Sequence, residues 1–91
     1  MNTYKIRIFG RVQGVGFRYS AQREAEKYHL KGWVKNEADG SVTVEATGEE
    51  AALDKFCDWC RSGPPSARVE KIRKEKEENP SQQKEKFEVI Y

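Results

Sequence analysis

The chain has 91 residues, of which 36% are hydrophobic and 35% charged, with a formal net charge of +2. That length holds one core and is read as a single domain, 1–91, and a charged fraction above the roughly 25% of an average domain means a well-solvated surface with little apolar area left for large interfaces. So small a net charge does not argue for nucleic acid, which wants a strongly basic stripe; the longest apolar runs, such as Ala51-Ala52-Leu53, are far too short to cross a membrane.

The first ten residues lack the apolar stretch of a secretory signal. Two cysteines, Cys57 and Cys60, are too few for a disulfide framework, so a reducing cytoplasm is the expected compartment. Size and surface charge favour a monomer.

Tyr4, Ile6 and Ile8 alternate with Lys5 and Arg7, the period-two pattern of a half-buried strand, with Phe9 on its polar face. Gly10-Arg11-Val12-Gln13-Gly14-Val15-Gly16 interrupts it. Phe17, Ala21, Ala25 and Tyr28 then repeat at helical spacing and predict one apolar face of a helix. Leu30 to Asn36 reads as a second strand, Asp39-Gly40 as a hairpin turn, and Val42, Val44 and Ala46 as the inward positions of a third strand, Ser41 to Thr47. Thr47-Gly48-Glu49-Glu50 has the spacing of a capping box opening a second helix. Leu53, Phe56, Cys57 and Cys60 are its buried stripe, and Gly63-Pro64-Pro65 ends it. Ala67 to Ile72 is a weaker strand, because Val69 and Ile72 fall on opposite parities unless a bulge intervenes. Arg73 to Lys86 reads as an exposed strand end followed by a mobile loop, and Phe87, Val89 and Tyr91 as a closing strand.

The order β-α-β-β-α-β plus a short terminal strand is the split-βαβ, ferredoxin-like plan of the α+β class: two helices on one face of a mostly antiparallel sheet. The first two strands lie parallel with the third between them. Their C-terminal ends therefore share a rim, which brings the glycine loop and Asn36 together where open α/β sheets tend to bind ligands.

Glycines at 10, 14 and 16 let successive backbone N–H groups converge, and the helix that follows adds free donors and a positive dipole end. Arg18 in the first helical turn is disfavoured by about 0.3–1 kcal/mol on its own, but its planar fork suits two oxygens of a phosphate bound at that helix end. A tight turn with a solvated arginine is the competing reading. The pattern fits neither a Walker A loop, since Gly14 is followed by Val15 and Gly16, nor a dinucleotide loop, since position 19 is Tyr19.

Gly10-Arg11-Val12-Gln13-Gly14-Val15-Gly16-Phe17-Arg18 resembles the first signature of the acylphosphatase family, and Gly32-Trp33-Val34-Lys35-Asn36-Glu37-Ala38-Asp39-Gly40-Ser41-Val42 resembles the second. The closing Phe87 to Tyr91 is similar to that family's last strand, so the resemblance runs the length of the chain. It implies a phosphate-binding loop formed by Gln13, Gly14, Val15, Gly16, Phe17 and Arg18. It also implies a catalytic pair in which Arg18 clamps the phosphoryl group and Asn36 orients the attacking water. By the same resemblance the substrate is an acyl phosphate, the products are a carboxylate and inorganic phosphate, and neither metal nor cofactor takes part. A carboxylate of pKa about 4 departs without protonation, so the absence of an acid from both motifs is tolerable for acyl phosphates and not for ordinary phosphate monoesters. No acyl pocket is evident in the sequence.

Other readings are weaker. RNA-recognition motifs share the topology, but their stacking aromatics belong on the third strand, and Ser41 to Thr47 has none. A non-catalytic module of the same family would have no need of both Arg18 and Asn36. Cys57 and Cys60 lie near the C-terminal end of a helix on its apolar stripe, where core thiols are expected rather than a reactive pair. The lone His29 lies on another element, too few ligands for zinc. A cysteine-phosphatase loop would need arginine where Gly63 and Ser66 stand. Trp33 and Trp59 read as packing residues.

Overall fold

Alternation in the first strand sorts its side chains cleanly: Tyr4, Ile6 and Ile8 are buried while Lys5 and Arg7 remain partly exposed. The computed structural model describes residues 1–78 and 84–91. The elements run β1 (Asn2–Arg11), α1 (Phe17–Lys27), β2 (Lys31–Asn36), β3 (Val42–Gly48), α2 (Glu50–Ser62), β4 (Arg68–Lys76) and β5 (Phe87–Ile90). The five strands form one sheet in the order β4-β1-β3-β2-β5. All pairings are antiparallel except β2 with β5, so β1 and β2 point the same way with β3 between them, as the element order implies.

Both helices pack their stripes on one face of this sheet. Phe17, Ala21 and Ala25 of α1 and Leu53, Phe56, Cys57 and Cys60 of α2 join Ile6, Ile8, Val34, Val42, Val44 and Phe87 in one core. Burying each large apolar side chain contributes about 1.5–3 kcal/mol relative to leaving it in water. Phe56 anchors this layer, edge-on to Phe87 at 6.0 Å and stacked on Trp59 at 6.1 Å. Trp33 is buried too, but on the open face, where its indole Nε1 donates to Glu45 Oε2 at 3.2 Å. Both tryptophans therefore serve packing.

One local expectation changes. Thr47 does not cap α2: it stays in β3 opposite Thr3, and the two hydroxyls bond at 2.7 Å. The cap position falls to Glu49, whose side chain makes no capping bond. Sheet pairing through Gly48 carries Thr47 past the point where its oxygen could turn back on the helix. The exposed strand end read from Arg73 onward continues β4, which pairs with β1 as far as Tyr4↔Lys76. The parity conflict between Val69 and Ile72 is resolved by a register shift at Phe9/Gly10, where Phe9 pairs with Lys71 and Gly10 with Val69, leaving Glu70 as the extra residue of a bulge. Of the expected mobile loop, residues 79–83 lie outside the described residues.

Candidate active site

The parallel run of β1 and β2 brings three things to one rim: the loop leaving β1, the N-terminus of α1, and Asn36 at the end of β2. The last residues of the chain, beside β2 through β5, complete the enclosure. They surround a cavity of about 150 Å3 whose walls include Gly14, Gly16, Arg18, Asn36, Val89 and Tyr91. This is well below the roughly 300–1,000 Å3 that encloses a drug-sized ligand. It suits a phosphoryl-sized group.

The loop needs its glycines for backbone shape. Gly14 has φ +73° and Gly16 has φ +78°, left-handed values that cost other residues strain, although a Cβ at either would meet no atom. Gly16 is the residue before α1 and has no side chain with which to cap it, and the first turn holds no acidic residue. The first N–H to close the helix is that of Ser20, on the Gly16 carbonyl at 3.0 Å. The donors ahead of it are the orphan amides of the helix start, at the positive end of the dipole.

Gln13 shapes the loop from outside. Its side-chain Nε2 donates to the carbonyls of Glu37 and Ser41, at 2.8 and 2.9 Å, so it ties the loop to the β2–β3 hairpin. Val15 turns toward the core. Of the loop residues expected from sequence, then, Gly14, Gly16, Phe17 and Arg18 border the cavity, while Gln13 and Val15 hold the loop in place with their side chains.

Arg18 is half-buried at the cavity wall. Its Nη1 donates to the Ile90 carbonyl at 3.0 Å, and its Cζ lies 4.8 Å from the Tyr91 ring centre. Among the described residues no carboxylate forms an ion pair with it. The guanidinium is thus oriented by a neutral carbonyl and an aromatic face, and its charge is left uncompensated beside an uncapped helix end.

Asn36 supplies the opposite chemistry. Its Oδ1 is buried and has no hydrogen-bond partner among the described residues. A buried acceptor left unsatisfied costs about 1–3 kcal/mol. Such an atom is open to a hydrogen bond from a donor that enters the cavity.

Cys57 and Cys60 are buried free thiols; burial pushes Cys57 up to about 11 and raises Cys60 as well, the reverse of an activated thiolate. His29 is exposed just past α1. Among the described residues no three His, Cys, Asp or Glu side chains gather into a metal-binding group, and no helix is long and apolar enough to cross a membrane.

The acylphosphatase family model matches residues 4–89. The chain belongs to the acylphosphatase family. It is 46% identical to the acylphosphatase of Archaeoglobus fulgidus over 91 residues, the full length of both chains. The crystal structure of acylphosphatase from Bacillus subtilis superposes with a TM-score of 0.93 at 42% identity, covering all of each chain. A larger protein, HypF of T. kodakarensis, contains a similar stretch: TM-score 0.84 and 33% identity over 99% of this chain but only 12% of that one. Members of the acylphosphatase family are acid-anhydride hydrolases, and that is the activity of this chain.

Two contributors to the site are not legible in the sequence. Nothing in the residues Ile90 and Tyr91 announces that the terminal strand orients Arg18. The outward reach of Gln13 depends on a hairpin more than twenty residues away. The parallel β2–β5 register, Lys35↔Ile90, is the observation that could have found the first.

Proposed function

We propose that the phosphoryl group of an acyl phosphate sits on the backbone amides of Gln13 to Arg18, that Arg18 clamps it, and that Asn36 positions the water that attacks it. The observation that carries this reading is that Asn36, whose buried Oδ1 has no partner among the described residues, lines the same cavity as an uncompensated Arg18 and an uncapped helix start.

Phosphoryl transfer asks for positioning and charge stabilisation more than for covalent help. The loop amides and the guanidinium stabilise charge on the equatorial oxygens. The Asn36 carbonyl oxygen accepts a hydrogen bond from one water O–H and so aims a lone pair at phosphorus. The water oxygen bonds to phosphorus as the bond to the acyl oxygen breaks. The electron pair leaves with the carboxylate, and the water proton passes to a phosphoryl oxygen. No group in the cavity acts as a general acid, and a carboxylate needs none.

The surrounding assignments belong to the same proposal: one domain over 1–91, acting as a monomer in the cytoplasm, with no nucleic-acid partner. On the open face β3 offers Thr43 and the buried Glu45, neither of which stacks on a base. Hydrolysis of benzoyl phosphate against an alkyl phosphate monoester, whose alkoxide does need protonation to leave, tests the chemistry. The acyl phosphate is expected to turn over, and the monoester to run slower by at least the roughly 10²–10⁴-fold that a missing general acid represents. Excess chelator and native-state thiol alkylation are expected to leave the rate unchanged. Comparable rates on the two substrates, or a loss on chelation that added metal restores, would remove this mechanism.

A further inference from the structure

The phosphoryl cavity is too small for a whole substrate, and its surroundings indicate where the remainder goes. Tyr19, Val89 and Tyr91 border the cavity and also wall a second, larger cleft of about 490 Å3 between α1 and β5. Its floor is tied together by Gln22, whose Nε2 donates to the Phe87 carbonyl at 3.2 Å and so bridges the helix to the strand. The mouth shared with the cavity is flanked by two aromatic rings that the core does not use. Tyr19 is 62% exposed and Tyr91 97%, and with Met1 they are the most exposed large apolar side chains among the described residues. The other walls of the cleft carry Glu26, Lys86 and Glu88, so its apolar side is the strip of Tyr19, Phe87, Val89 and Tyr91, and Arg23 lies 5.8 Å from the Tyr19 ring centre. Water-exposed apolar area concentrated at a site is a usual mark of ligand contact.

We propose that this groove receives the acyl group, and that Tyr19 makes the enzyme prefer acyl phosphates with an aromatic or extended apolar acyl body over acetyl phosphate. The inference rests on the phosphoryl placement proposed above. With the phosphorus over the loop amides, the acyl group must leave the small cavity, and the groove is continuous with it through three shared residues. Acetyl has no ring or chain to lay on the Tyr19 face. A benzoyl ring has both the length and the flat face to pack on it, and an aromatic pair of this kind changes affinity by up to about tenfold.

The test is the ratio of kcat/KM for benzoyl phosphate to that for acetyl phosphate, compared between proteins so that the intrinsic reactivities of the two substrates cancel. Tyr19→Ala is expected to lower the ratio about tenfold, and Tyr19→Phe, which keeps the ring, to hold it within about twofold of the parent. The side chain at 19 is exposed, so both variants are expected to fold, and a melting curve checks this. A ratio unchanged in Tyr19→Ala overturns the proposal, whether or not both rates fall, as does a Tyr19→Phe variant that loses discrimination as fully as Tyr19→Ala. Failure of the underlying placement has its own mark: inorganic phosphate would not compete with either substrate in the parent enzyme, and the groove's role would fall with it.

Discussion

Arg18→Lys is expected to slow acyl phosphate turnover roughly 10²–10³-fold, nearly as much as Arg18→Ala, although it keeps the charge. The reason is in how the guanidinium is held. One N–H is committed to the Ile90 carbonyl and Cζ lies 4.8 Å from the Tyr91 ring centre, which leaves the other N–H groups for the cavity that Arg18 lines. Lysine offers a point charge on a flexible stem and cannot serve a carbonyl and two phosphate oxygens in one plane. Steady-state kinetics on benzoyl phosphate, with circular dichroism to confirm folding, measures this. A lysine variant within a few-fold of the parent would mean that charge alone suffices and that the fork is not used.

Asn36→Ala is expected to separate catalysis from binding. If Arg18 binds phosphate and Asn36 only places water, the two alanine variants differ in what they retain. Inorganic phosphate at about 100 times its dissociation constant adds roughly 2.7 kcal/mol to the stability of whatever binds it. For a domain of this size that raises the melting temperature by on the order of ten degrees. The parent and Asn36→Ala are expected to share most of that shift, while turnover by Asn36→Ala falls by orders of magnitude. Arg18→Ala is expected to lose both. All three are compared at matched ionic strength with chloride as the control, since general salt effects also move melting curves. Loss of the phosphate shift in Asn36→Ala would make Asn36 a binding or structural residue.

The parts of this architecture written in the sequence are those where side chains decide the structure. The alternation of Tyr4, Ile6 and Ile8 and the helical stripe of Leu53, Phe56, Cys57 and Cys60 are burial patterns, and burial is where sequence and fold speak the same language. The glycine loop is legible because left-handed backbone at Gly14 and Gly16 restricts residue type. β4 runs beyond its apolar pattern for the complementary reason. As an edge strand it buries little, and Arg73 to Lys76 pair with β1 through backbone groups that carry no residue identity. The capping box does not form because a threonine hydroxyl has two uses, and the facing Thr3 claims it. Arg18 and Asn36 can be named from the chain, but not the carbonyl and ring that aim the first or the burial that leaves the second unpartnered.

The strand that orients Arg18 is also the sheet's least secured part. β5 has four residues, lies at an edge and pairs only with β2, in the parallel sense that is slightly weaker per residue. Such elements open by local unfolding at a fraction of the global free energy. When β5 frays, Ile90 and Tyr91 release the guanidinium while β1, β3 and the helices stay assembled. Thermal inactivation therefore runs ahead of melting: activity fades over a range in which circular dichroism still reports a folded protein, and returns at once on cooling. Hydrogen exchange at the β5 amides, and the temperature dependence of kcat, should report one and the same opening.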